Sequence, residues 1–184
     1  MKKKFGVKEV VAAAICAALV FVLLRFVAIP TPLPDTTLSI YASVVAFFAA
    51  LFGPIVGFIG GFVGNLMVDV TAGWGIWWSW IIPTGVYGLL MGLFLKGNKL
   101  EEGEFGKKDF VKLVVFDIIS ALICWGLIAP LGDILFYAEP ANKVFLQGLF
   151  IGISAMVSTA VVTSLLCKAY AASKAKAGSL KKEN

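Results

Sequence analysis

Long apolar runs alternate along this chain with short polar or proline-rich breaks. Six such runs fall at about residues 7–28, 37–52, 55–70, 76–95, 110–128 and 144–170. A helix needs ~20 mostly apolar residues to cross a ~30 Å hydrocarbon core. Each run is therefore read as a membrane span. The predicted fold is an all-α membrane protein, a compact bundle of six transmembrane helices forming one domain over residues 1–184.

The breaks carry their own signals. Met1-Lys2-Lys3-Lys4 has the charge of a signal-peptide start, but the apolar run behind it is long for a cleaved signal, so it reads as a retained helix. The tract Ile29-Pro30-Thr31-Pro32-Leu33-Pro34-Asp35-Thr36 holds three prolines in five residues and cannot continue a helix. An extended loop at the membrane surface is expected there. Gly53-Pro54 separates spans two and three, and residues 71–75 make a tight connection to span four. The polar stretch 96–108 joins spans four and five, and a second irregular segment is expected over residues 129–142.

Charge then orients the bundle. Cytoplasmic loops of membrane proteins carry an excess of Lys and Arg. With both termini cytoplasmic, 14 of the 16 basic residues fall at or near the inner side, Lys143 and Arg25 being the exceptions. This segregation explains the net charge of +5 as membrane topology, and no nucleic-acid partner is expected.

Composition narrows the chemistry. The chain is 60% hydrophobic and 15% charged, and it has no histidine. Its three cysteines, Cys16, Cys124 and Cys167, stand singly in apolar runs and read as packed residues. No nucleotide-binding G-x-x-x-x-G-K-[ST] motif or metal-type spacing is present. An enzyme is not expected, no metal or cofactor is expected on this chain, and its direct surroundings are membrane lipid.

Polar and aromatic residues gather toward the outer half. Trp74, Trp77, Trp78 and Trp80 cluster within seven residues, and Trp77, Trp80 and Thr84 are spaced to share a helical face. An interfacial aromatic belt explains any one of these tryptophans; the cluster also suits a planar ligand. Tyr41, Asn65, Asp69, Tyr137 and Gln147 complete the candidate substrate site: aromatic walls with a few directional polar groups. Asp69 is read as a ligand or loop-ordering group and Asp117 as structural, because charge at membrane depth needs a cavity or a partner. Arg25 reads either as a partner for an acidic group near the outer face or as a side chain snorkelling toward the interface. Small residues four apart (Ala13/Ala17, Ala14/Ala18, Gly57/Gly61, Gly60/Gly64, Gly88/Gly92, Gly148/Gly152) allow close helix approach. The glycine pairs read as internal packing, and the alanine stripe leaves an intermolecular face open.

Over nearly its whole length the chain resembles the substrate-capture subunits, or S components, of energy-coupling factor (ECF) transporters, the bacterial vitamin importers. The resemblance rests on the six spans, the Ala13-x-x-x-Ala17 stripe, and the run from Ile29 through Thr37. It also rests on Ala50-Leu51-Phe52-Gly53-Pro54-Ile55-Val56-Gly57-Phe58 and on Trp77-Trp78-x-Trp80. It implies high-affinity capture of a vitamin from outside, in the bacterial cell membrane. It implies docking through Ala13, Ala14, Ala17 and Ala18 onto a transmembrane coupling (T) protein with two cytoplasmic ATPases, which use the ATP. Hydroxymethylpyrimidine or a vitamin B6 form is the expected ligand. The alternatives are a structural or assembly protein without a small ligand, or a solitary facilitator.

Overall fold

The computed structural model describes residues 5–180, with side chains described through residue 176. The lysines at 2–4, 181 and 182 used in the charge argument lie outside the described residues. Helices α1 (Val7–Phe26), α2 (Tyr41–Phe52), α3 (Pro54–Ala72) and α4 (Trp78–Phe94) are followed by α5 (Lys107–Ile123), α6 (Ala129–Tyr137), α7 (Ala141–Ser158) and α8 (Ser164–Leu180). Five-residue π-helical segments join α5 to α6 (Cys124–Ile128) and α7 to α8 (Thr159–Thr163). The eight helices thus form six rods in one bundle.

Four rods are long and apolar enough to cross a membrane: Val7–Phe26, Pro54–Ala72, Lys107–Tyr137 and Ala141–Lys176. The other two, α2 and α4, have 12 and 17 residues. At 1.5 Å per residue, α2 covers only ~18 Å of the ~30 Å core. The proline tract precedes α2. It folds into a short antiparallel hairpin, β1 (Ile29–Pro30) with β2 (Thr37–Leu38), in which Ile29 pairs Leu38 and Pro30 pairs Thr37. Thr31 closes it, its N–H and hydroxyl both donating to the Thr36 carbonyl, at 3.1 and 2.9 Å.

Residues 129–142 are not an irregular loop, contrary to the sequence expectation. The helix runs through Pro130 to Tyr137, and only residues 138–140 leave it. Proline removes one backbone donor and crowds the preceding turn. The π segment just before it absorbs that disruption: Ala129 N–H donates to the Cys124 carbonyl, five residues back.

Between α2 and α3, Gly53 adopts φ +98°, a left-handed conformation that an L side chain rarely takes, and Pro54 starts α3 with no helical N–H lost. Helix α3 is the centre of the first half because it has no side chain where its neighbours approach. A Cβ on Gly57 would lie 2.5 Å from the Gly88 carbonyl oxygen, and one on Gly61 would lie 2.7 Å from that of Thr84. On its other side, Gly60 meets Cys16 and Gly64 meets Val20 and the Ala17 carbonyl. The glycine pairs at 57/61 and 60/64 are therefore internal contacts with α4 and α1.

Two clusters of charge mark the ends of the bundle. At one, Glu101 meets Lys174 (3.0 Å) and Lys8 (3.7 Å) and accepts a 2.9 Å hydrogen bond from Tyr170. This gathers the start of α1, the 100–102 turn and α8 on the lysine-rich side. At the other, Lys143 meets Glu139 (3.0 Å) and Asp35 (3.4 Å). Asp117 is fully buried and accepts a 2.7 Å hydrogen bond from Tyr87, whose hydroxyl is 2.9 Å from Thr159. This ties α5, α4 and the second π segment together. Arg25 makes no ion pair among the described residues; its guanidinium lies 6.0 Å from the Phe26 ring centre.

Candidate functional site: a tryptophan-walled cavity under the proline hairpin

The short α2 and the late start of α4 leave space in the half of the bundle away from the Glu101–Lys174 end. A cavity of about 700 Å³ occupies it. Small-molecule sites commonly span ~300–1,000 Å³. Its roof is the hairpin, residues 30–37, and its walls come from α2, α3, α4, α6 and α7.

Eight of the ten residues expected from sequence line this cavity: Tyr41, Asn65, Asp69, Trp74, Trp77, Trp80, Thr84 and Gln147. Two do not. Trp78 faces outward, 45% exposed, with its ring 6.3 Å from Phe62. Tyr137 stands behind the wall, its ring stacked 4.4 Å from Trp77. Its hydroxyl accepts from the Trp78 N–H (3.0 Å) and donates to the Ile76 carbonyl (3.1 Å). Tyr137 therefore positions Trp77.

Each polar wall residue also shapes the backbone beside it. Asp69, near the end of α3, accepts from the Trp74 indole (3.1 Å) and from the Trp77 N–H (2.8 Å). The second bond satisfies a backbone donor at the entry to α4, where a carboxylate also complements the helix dipole. One turn earlier on α3, Asn65 donates to the Thr84 hydroxyl (2.8 Å) and the Trp80 carbonyl (3.3 Å). Thr84 in turn donates to the Trp80 carbonyl (2.9 Å), so that two side chains converge on one acceptor, while Pro83 offers no N–H to the Ser79 carbonyl one turn back. A proline at i+3 bends a helix, and these two side chains hold the turn that aims Trp80 into the cavity. On α7, Gln147 donates to the Pro34 carbonyl (2.9 Å) and secures the roof.

Sequence reasoning missed Asp133, Glu139, Lys143 and Asp35 as wall residues. Asp133 is buried; it accepts from the Trp80 indole (2.8 Å) and from the Ser79 hydroxyl. A carboxylate inside Leu131-Gly132-Asp133-Ile134-Leu135-Phe136 was its signal, obscured by the reading of that stretch as a loop. Glu139 and Lys143 are spaced four apart, the spacing of a helical ion pair.

The alanine stripe divides in two. Ala13 and Ala17 are 4% and 5% exposed, facing α3 beside Gly60 and Gly64. Ala14 and Ala18 lie on the outward face. Among the described residues no group of three or more His, Cys, Asp or Glu is arranged to hold a metal ion.

Comparison with known proteins agrees with this architecture. A family model described as "ECF-type riboflavin transporter, S component" matches residues 4–172. A "UPF0397 protein" of Streptococcus pneumoniae strain Hungary19A-6 is 43% identical over 183 residues, covering 100% of both chains. A second, from Streptococcus pneumoniae strain ATCC BAA-255 / R6, has the same identity and coverage. Among solved structures, a crystal structure of FolT bound with folic acid superposes with a TM-score of 0.66 at 17% identity. It covers 88% of this chain and 93% of that one, and it shows a shared fold. The chain is a multi-pass protein of the bacterial cell membrane and belongs to the S-component family of ECF transporters, whose members bind vitamins for uptake.

Proposed function

We propose that this chain captures a small aromatic vitamin or vitamin precursor from outside the cell in the cavity beneath the hairpin. It then delivers the ligand inward when docked on a T protein and two cytoplasmic ATPases. The observation that carries this reading is the juxtaposition of Trp77 and Trp80 with Asn65, Asp69, Thr84 and Gln147 around one cavity. Aromatic side chains supply stacking area, and the polar groups fix a ring's edges. Hydroxymethylpyrimidine and vitamin B6 forms have such rings. The chain carries no nucleotide motif, so the work of transport comes from the ATPases, and the exposed Ala14 and Ala18 are the small residues free for a partner helix.

A second ligand reading is riboflavin. It is favoured by the description of the matching family and by a cavity volume of about 700 Å³, roomy for a single six-membered ring.

Uptake of labelled hydroxymethylpyrimidine, pyridoxine and riboflavin tests the proposal. It is measured in a host lacking its own importers, with this chain alone or together with the T protein and ATPases. Accumulation of one of these ligands only in the presence of all components is expected. Equal accumulation by the chain alone would identify a solitary facilitator instead.

A further inference from the structure

The cavity wall has an unbalanced charge. Four carboxylates line it, those of Asp35, Asp69, Asp133 and Glu139, against one ammonium, that of Lys143. The ammonium is already shared between Glu139 at 3.0 Å and Asp35 at 3.4 Å. Asp69 and Asp133 sit deeper, 8% and 2% exposed. Neither has a cationic partner among the described residues. Their hydrogen bonds come from neutral groups: the Trp74 indole and Trp77 N–H for Asp69, the Trp80 indole and Ser79 hydroxyl for Asp133.

Neutral donors orient a carboxylate without cancelling its charge. The start of α4 lies near both groups and offers about half a positive charge, too little to offset two anions. An ionised carboxylate has about four lone-pair positions, so each group retains acceptor capacity after its two protein bonds. In a cavity with low-dielectric walls these charges act strongly on whatever enters.

We propose that Asp69 and Asp133 select the ligand by charge. The cavity admits a ring that carries no net negative charge and offers N–H or ammonium donors to these carboxylates beside Trp77 and Trp80, and it rejects anionic analogues of the same ring. This rests on the reading of the cavity as the capture site, and it names the class of ligand captured there.

Matched pairs test it by tryptophan fluorescence titration of the purified full-length chain. Pyridoxamine and 4-pyridoxic acid share a ring and differ in charge; riboflavin and riboflavin 5′-phosphate do likewise. The amine or neutral member is expected to bind at least 100-fold more tightly than its acidic partner in whichever pair binds. Added salt should weaken pyridoxamine binding. Asp35→Asn, at an 81% exposed rim side chain whose positive φ of 54° asparagine also adopts, removes one negative charge and should narrow the gap severalfold. An acid or phosphate that binds as well as its partner overturns the proposal. Should neither pair bind, the mass of the ligand that co-purifies decides: an anion overturns the charge assignment, and a neutral or cationic ring upholds it. A protein that purifies empty and binds no ring overturns the capture reading itself.

Discussion

The side-chain amide of Gln147 on α7 donates a 2.9 Å hydrogen bond to the carbonyl oxygen of Pro34, 113 residues earlier, and so fastens the roof of the cavity to its wall. The Lys143–Asp35 contact is a second fastening nearby, but its Asp35 side chain is largely in solvent. Exposed ion pairs contribute ~0.2–1 kcal/mol, whereas a neutral intramolecular hydrogen bond contributes ~0.5–1.5 kcal/mol, and this one comes from a buried glutamine side chain. Gln147 is the stronger clasp. Gln147→Ala should raise ligand dissociation about tenfold in stopped-flow fluorescence, with Lys143→Ala changing it less than threefold. Equal effects would contradict this ranking.

The two alanine faces of α1 should separate folding from coupling. Ala14→Trp with Ala18→Trp adds bulk to the outward face and should abolish energised uptake while leaving ligand affinity within about twofold. Ala13→Trp with Ala17→Trp forces bulk between α1 and α3, where Gly60 and Gly64 leave no room. That pair should fail at the level of yield and thermal stability. Size-exclusion profiles and melting curves of the two double variants distinguish the cases.

Gly57→Ala should destabilise the protein by about 1–3 kcal/mol, the usual cost of overpacking. The atoms its Cβ would meet are the Gly88 carbonyl oxygen and Ala49 Cβ, neither of which can rotate away. Gly126→Ala, with no heavy atom near its added carbon, is the control and should melt close to the parent.

At the lysine-rich end, the Lys174 ammonium hydrogen-bonded to Glu101 holds that carboxyl below its ordinary range, with help from Tyr170 and despite some desolvation. A carboxyl depressed in the folded state stabilises above its unfolded pKa, and that contribution fades as pH falls through the folded value. Glu101→Gln should therefore flatten the acid limb of the stability profile, and because Glu101 also raises the Lys174 ammonium it should change the alkaline limb as well. Because the side chain is 39% exposed, the effect should stay at or below about 0.5 kcal/mol.

Helix count is legible in the chain because lipid imposes long apolar runs, and lysines gather toward one end of the bundle. Glu101 drawing Lys8 and Lys174 together is the structural counterpart of that charge pattern. Residues 129–137 escape the reading because Pro130 signals a break, and nothing in the residue order announces that a π segment will absorb it. Asp133 is lost with that stretch, since a carboxylate counts as a wall residue only once its backbone is known to be helical. Residue spacing also cannot say which side of α1 turns inward. Ala13/Ala17 and Ala14/Ala18 have the same separation, and the glycines of α3 make the choice. Eight of the ten candidate site residues converge because depth along each span, which sequence does report, brings them to one level. Trp78 and Tyr137 share that level but project away from the cavity.

Native mass spectrometry of the full-length protein, released from detergent after mild purification, measures the central claim most directly. The expected spectrum shows one small aromatic molecule bound per chain. That molecule should be absent from a Val68→Trp variant whose cavity is filled and whose melting temperature stays within a few degrees of the parent. A parent chain that carries no small molecule, and whose melting temperature is unmoved by hydroxymethylpyrimidine, B6 forms or riboflavin, would contradict the account.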